Sequence, residues 1–289
     1  MVVWCNLGDM MILRRTFALL ICLVSLAACG PQIGDLERGE EGRVVRAYSG
    51  DTLELYNGLR VFLAEIDAPR GEDDYAAQAQ GELEAQVLHR EVLLTYGGTR
   101  RWAGRARQDG TTNEAAIAHV FVKSEGGRWF WLQHELVSRG AAYVRPRRDN
   151  HTRASELIQI EAQAREAERG MWARRAYRPL NVRAAIEQAL AANENCLRGA
   201  APYRVLEGRV ADARVFQTRA ALTMEGSDEE SPFTLAVFGD NFSAWDGPAL
   251  SSLTGVRVRA RGPLGVYRDA PQLCLEHGSQ LEVLTDQPT

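Results

Sequence analysis

Arg257, Arg259 and Arg261 alternate with Val256, Val258 and Ala260. Strand side chains repeat every second residue, so one face would carry three guanidiniums at intervals of about 7 Å, close to the spacing of nucleotide phosphates. The row is either an anion-binding face or the solvated outside of a sheet. An acidic stretch, Glu225 to Glu230, in the same half of the chain would repel a polyanion. Cysteine and histidine spacings give no zinc pattern, and there is neither a glycine-rich phosphate loop nor a serine-nucleophile motif.

The cysteines carry a second kind of chemistry. Arg14 and Arg15 precede an apolar run, Thr16 to Leu26, that is too short to span a bilayer as a helix and that ends in Leu26-Ala27-Ala28-Cys29-Gly30. Charge, length and the small residues before the cysteine together match a bacterial lipobox, so residues 1–28 are expected to be a lipoprotein signal peptide and Cys29 the lipid attachment site. Met11 offers a second start, and residues 1–10 are left out of the fold reading. A membrane partner through that anchor follows, on the periplasmic face of the cell envelope. Gly30 after the cysteine, rather than Asp, points to the outer membrane. With Cys29 lipidated, Cys196 and Cys274 remain as an even pair in an oxidising compartment. They are either disulfide-bonded or two small buried residues that never meet.

The chain has 289 residues, 45% apolar and 25% charged, an ordinary globular composition with room for two domains. Lys+Arg of 34 against Asp+Glu of 38 gives a net charge of -4, which excludes a general basic field; a nucleic-acid partner would need a local patch. Lys123 is the one lysine, so any anion recognition would be by arginine.

Positioning elements follow from pattern. Residues 29–40 read as a tether. Three short strands span Arg43–Tyr48, Asp51–Tyr56 and Leu59–Ile66, with Asn57-Gly58 as a hairpin signal. Ala76, Ala79, Leu83 and Val87 recur at helical spacing; strands at Val92–Tyr96 and Ala116–Val122, a short helix over Leu132–Arg139 and a long helix through Leu157 and Ala164 follow, the last with Thr152 as N-cap and Gly170 as its stop. Residues 174–202 form a connector whose most helical stretch is Asn181–Leu190. Strands then resume over 203–285, in an order that repeats the first set.

Gly50-Asp51-Thr52, Ile66-Asp67-Ala68-Pro69, Ala118-His119-Val120-Phe121, the run Leu136 to Val144 and Gly170-Met171-Trp172 together resemble the thermonuclease, or staphylococcal nuclease-like, family. The resemblance covers about residues 41–173 and implies an OB-type barrel. The 203–285 segment is similar to OB-fold appendages, so the expected fold class is mainly β with helices (α+β), a staphylococcal nuclease-like OB barrel followed by a second OB-like β-barrel. The family holds calcium with carboxylates at the places of Asp51 and Asp67, and a backbone carbonyl at Ala68 can assist. Its phosphate-clamping arginines and its glutamate base are replaced here: Phe62 stands at the first arginine, Arg70 at the glutamate, and Ala115, by ungapped counting, at the second arginine. Displaced substitutes are Arg60, about 7 Å back along its strand, Glu72 in an acidic loop, and Arg105 if residues 107–114 are an insertion. His119 reads as a barrel-wall residue.

Two functions stay open. One is a catalytically degenerate, membrane-anchored binding or envelope-associated protein. The other is an active calcium-dependent nuclease acting on DNA or RNA, which requires Arg60, Arg105 and Glu72 to gather around Asp51 and Asp67.

Overall fold

A computed structural model describes residues 33–102, 115–197, 201–227 and 232–285. Strand β1 (Glu37–Ser49) is 13 residues long and starts four residues ahead of the expected domain boundary at 41. Irregularities in its register let its two ends serve different partners, β2 (Thr52–Leu55) and β5 (Glu91–Tyr96). The Asn57-Gly58 turn forms as its residues dictate: Gly58 takes φ +83°, and the Asn57 side chain accepts the Leu59 N–H at 3.0 Å. It leads into β3 (Arg60–Leu63), which pairs in parallel with β7 (Ala115–Lys123); β7 pairs in turn with β5, closing a barrel β1-β2-β3-β7-β5.

Three helices cover this barrel. The first, α1 (Ala76–Val87), buries Ala79, Leu83 and Val87 at the spacing seen in the sequence. Short strands β6 (Arg101–Trp102) and β8 (Trp129–Trp131) each pair with β7, and α2 (Leu132–Ser138) follows β8 directly. Strand β4 (Ile66–Asp67) pairs with β9 (Tyr143–Val144), and α3 (Ala154–Glu166) follows. Neither expected boundary of α3 holds. The Thr152 hydroxyl donates to the Gly97 carbonyl instead of capping the helix, which begins after Arg153 without a side-chain cap. The helix ends at Glu166. Gly170, at φ +55°, is demanded by close approach: a β-carbon there would strike the carbonyls of Arg139 and Gly140.

Helix α4 (Val182–Ala192) occupies the connector, with the Asn181 side chain accepting the Ala184 N–H at 2.9 Å and Asn193 left-handed at φ +48° after its end. The second barrel follows: β10 (Tyr203–Val215), β11 (Arg219–Met224), β12 (Thr234–Phe238), the short α5 (Gly239–Ser243), β13 (Arg257–Tyr267), β14 (Ala270–Leu275) and β15 (Leu281–Val283). It closes as β10-β11-β12-β14-β13 with one parallel pair, β12 with β14, so its strand succession repeats that of the first barrel. The chain is mostly β with few helices, an OB-type barrel followed by a second five-stranded closed barrel.

Each barrel has its own apolar core, and the two make buried contacts with each other. Tyr143 and Tyr203 stack with ring centroids 5.4 Å apart, Val205 packs into the first core, and the fully buried Arg261 reaches from β13 to Glu161 of α3. Cys196 and Cys274 are disulfide-bonded with Cα atoms 5.8 Å apart, joining the connector to β14. Among the described residues no helix is long and apolar enough to cross a membrane. The expected signal segment and Cys29 lie outside the described residues.

Candidate functional site

Asp51 stands in the tight turn between β1 and β2, and Asp67 ends β4. Gly50 lets the first turn press against the second element, since a β-carbon there would collide with those of Ala68 and Ala79. Both carboxylates are buried, at 3% and 6% exposure. Asp51 Oδ1 accepts the Ser49 hydroxyl at 2.8 Å and the Thr52 hydroxyl at 3.0 Å; its Oδ2 accepts the Ala68 N–H at 2.9 Å and Arg70 Nη2. The same Nη2 also donates to Asp67 Oδ1, and Arg145 Nη1 donates to Asp67 Oδ2. One guanidinium therefore joins the two aspartates and a second closes the far side.

Charge governs how these groups titrate. Burial pushes the Asp51 carboxyl up, but the Arg70 guanidinium, the Ala68 N–H and the Ser49 hydroxyl outweigh it and hold the group below the usual aspartate value. Asp67 lies above that value: burial raises it, Asp51 adds repulsion, and Arg145 and Arg70 offset only part. Burial and the neighbouring Asp67 keep the Tyr143 phenol protonated.

A calcium ion asks for six to eight oxygen ligands at about 2.3–2.6 Å. Each oxygen of this pair already accepts from a protein donor, and two guanidiniums balance two carboxylates. In this arrangement calcium could reach Asp51 and Asp67 only by displacing Arg70 and Arg145. The residue expected at the position of the base, Arg70, is the one that fills the space between them.

The site opens on a cleft of about 430 Å³ whose wall includes Phe62, Arg101, Ile117, Arg147 and Asn150. Two of the three expected substitutes, Arg60 and Glu72, do not gather there. Arg60 lies over the Tyr48 ring at 4.4 Å and Glu72 is exposed in the loop before α1; neither lines the cleft. Ala115 is a buried methyl opposite Arg60 in the β3–β7 register. Arg105 lies outside the described residues. His119 is buried in the wall with Nε2 3.1 Å from Glu65, whose carboxylate also accepts the Arg153 N–H. Arg145 and Arg147 were missed by the sequence reading, although the density of arginine immediately after Tyr143-Val144 was a signal for them.

The arginine row on β13 also needs correction as an anion-binding face. Arg257 and Arg259 pair with Glu207, Arg259 also with Glu282, and Arg261 with Glu161 and Glu282. Antiparallel register sets Glu207 and Glu282 directly opposite Arg259, so cross-strand carboxylates neutralise the row. Arg261 is 0% exposed and cannot meet a ligand.

The strand order defines an OB-type barrel. Residues 60–174 match the family model for staphylococcal nuclease homologues, and this part of the chain is a staphylococcal nuclease-like domain. Over 134 residues, 45% of this chain and 76% of the other, it is 27% identical to a protein of Escherichia coli O157:H7 named as an uncharacterized endonuclease. Over 167 residues, 55% of this chain and 86% of the other, it is 28% identical to Protein ParB of Escherichia coli. Nucleases of this family are typically calcium-dependent.

Proposed function

We propose that this protein is a non-hydrolytic binding protein of the cell envelope, anchored through a lipid on Cys29, in which the Arg70 guanidinium takes the place that a divalent cation holds in calcium-dependent relatives. The observation that carries the reading is the contact of one Arg70 nitrogen with both Asp51 and Asp67. Phosphodiester hydrolysis needs a base to take a proton from water and cations placed on the charge that develops at phosphorus. Arginine cannot act as that base at neutral pH, and Arg70 and Arg145 already spend their charge on buried carboxylates. Of the expected substitutes among the described residues, Arg60 and Glu72 both sit away from the aspartate pair.

The test uses the full chain, purified with its anchor, on fluorescent single-stranded DNA and on RNA, with calcium or with a chelator. Neither substrate should be cut above a buffer blank in either condition. Calcium-dependent cleavage that Asp51→Ala abolishes would overturn the non-hydrolytic reading. A fatty-acid analogue should label the wild type and not Cys29→Ser; equal labelling of both would remove the anchor.

A further inference from the structure

Next to the cleft-lining residues Arg147 and Asn150, three side chains from different loops meet where the two barrels touch. His151 belongs to the first barrel, between β9 and α3; Asp246 and His277 belong to the second. His277 Nε2 lies 3.1 Å from Asp246 Oδ2, and the imidazoles of His151 and His277 stack with centroids 3.7 Å apart at 24°. One donor atom from each of the three falls within 4.8 Å of the others. A tetrahedral ion with ligands at about 2.1 Å spaces them about 3.4 Å apart, so closure asks for movements on the order of 1 Å.

The hydrogen bonds behind these groups orient them. His151 Nδ1 lies 3.2 Å from the Arg147 carbonyl, which can only accept, so Nδ1 carries the proton and Nε2 offers its lone pair. His277 Nδ1 has the Ser279 hydroxyl at 2.9 Å and the Ser279 N–H at 3.2 Å. Backbone packing fixes the loops: Gly278 lies so close to Gly247 that a β-carbon would strike its main chain, which sets Asp246 beside His277. On the other side, Arg147 and Asn150 exchange backbone hydrogen bonds at 2.9 and 3.0 Å, and the buried Asn150 side chain donates to the Thr99 carbonyl at 3.2 Å.

We propose that His151, Asp246 and His277 form a binding site for a divalent transition metal of the zinc class, ligated from both barrels. Two imidazoles and one carboxylate suit zinc and not calcium or magnesium, which prefer all-oxygen sites. Three protein ligands leave a fourth position for water. His277 stays neutral on binding: its proton moves from Nε2, where it faces Asp246, to Nδ1, where the Ser279 hydroxyl accepts it at the expense of the Ser279 N–H contact. The stacked rings tilt apart so that both Nε2 atoms converge on the ion. Asp246 is exposed, which gives the ion a path in from solvent. Because the ligands come from both barrels, the ion ties one barrel to the other. This site stands or falls independently of the Arg70 reading.

The experiment is zinc titration of the full, untagged, chelator-stripped protein against a chromophoric chelator, with calcium and magnesium as controls and thermal unfolding as a second readout. Wild type should take up one zinc per chain and unfold at a higher temperature with it, while calcium and magnesium do neither. His151→Gln and His277→Gln should each weaken binding by at least about 100-fold and Ser279→Ala by about 10-fold, following the cost of losing ligands and their outer hydrogen-bond partners. His151 and Asp246 stand at accessible positions, so His151→Gln and Asp246→Asn keep the test decisive should His277→Gln fail to fold. Absence of zinc uptake by wild type, or undiminished uptake by His151→Gln and Asp246→Asn, would overturn the proposal.

Discussion

Arg70 is a half-exposed side chain with two buried partners, and that asymmetry decides what its loss should do. Breaking a fully buried ion pair costs about 3–5 kcal/mol, and with the Arg70 side chain 55% exposed the figure falls to about 1–2 kcal/mol. In Arg70→Ala, Asp51 and Asp67 face each other with one cation fewer, so a carboxyl of the pair gains a proton more readily when folded than when unfolded. A raised folded value means that the group's contribution is fully present below its unfolded value of about 3.9 and is lost as pH rises through the folded one. The stability gap between wild type and Arg70→Ala, from urea unfolding, should therefore be widest at pH 7 and narrow toward pH 4. A gap of equal size at both pH values would show that Arg70 does not act through these carboxylates.

Elements were more legible than contacts. Helix α1, the Asn57-Gly58 hairpin and the repeated strand order announced themselves because apolar spacing and turn residues report on local geometry. Thr152 and Gly170 misled because each has a tertiary partner, Gly97 and the Arg139–Gly140 backbone, that overrides its local preference. Asp51 and Asp67 were placed from motif resemblance, while the bond from Arg70 to both could not be read because no spacing rule fixes where a long side chain points. Gln133 of α2 is a further contact that the sequence does not advertise: wholly buried, it accepts the Val120 N–H at 3.1 Å and donates to the Ala118 carbonyl at 2.9 Å, pinning the helix to β7. Gln133→Ala removes the side-chain partner of the buried Val120 N–H, while the Ala118 carbonyl keeps the Ala64 N–H at 2.9 Å, and should cost about 1–3 kcal/mol. Chemical unfolding of that variant checks it; a loss below about 0.5 kcal/mol, the size of an ordinary surface substitution, would mean the bonds are dispensable.

Across the whole molecule, a disulfide ties the connector to the second barrel, and a buried ion pair ties the second barrel to the first. Arg261→Ala removes the cation that reaches Glu161, a carboxylate still served by Arg165 and the Val144 N–H, and should destabilise the protein by about 3 kcal/mol. Calorimetry should then resolve two transitions where wild type gives one, and a single undisplaced transition would contradict a coupled pair of barrels. The central claim, however, concerns the first barrel: a guanidinium built into the chain has taken the cation's place between Asp51 and Asp67. Calorimetric titration of calcium into full-length wild type and Arg70→Ala tests it most directly. The account predicts no calcium uptake by wild type and measurable uptake by Arg70→Ala that a further Asp51→Asn removes; uptake by wild type that Asp51→Asn abolishes would contradict it.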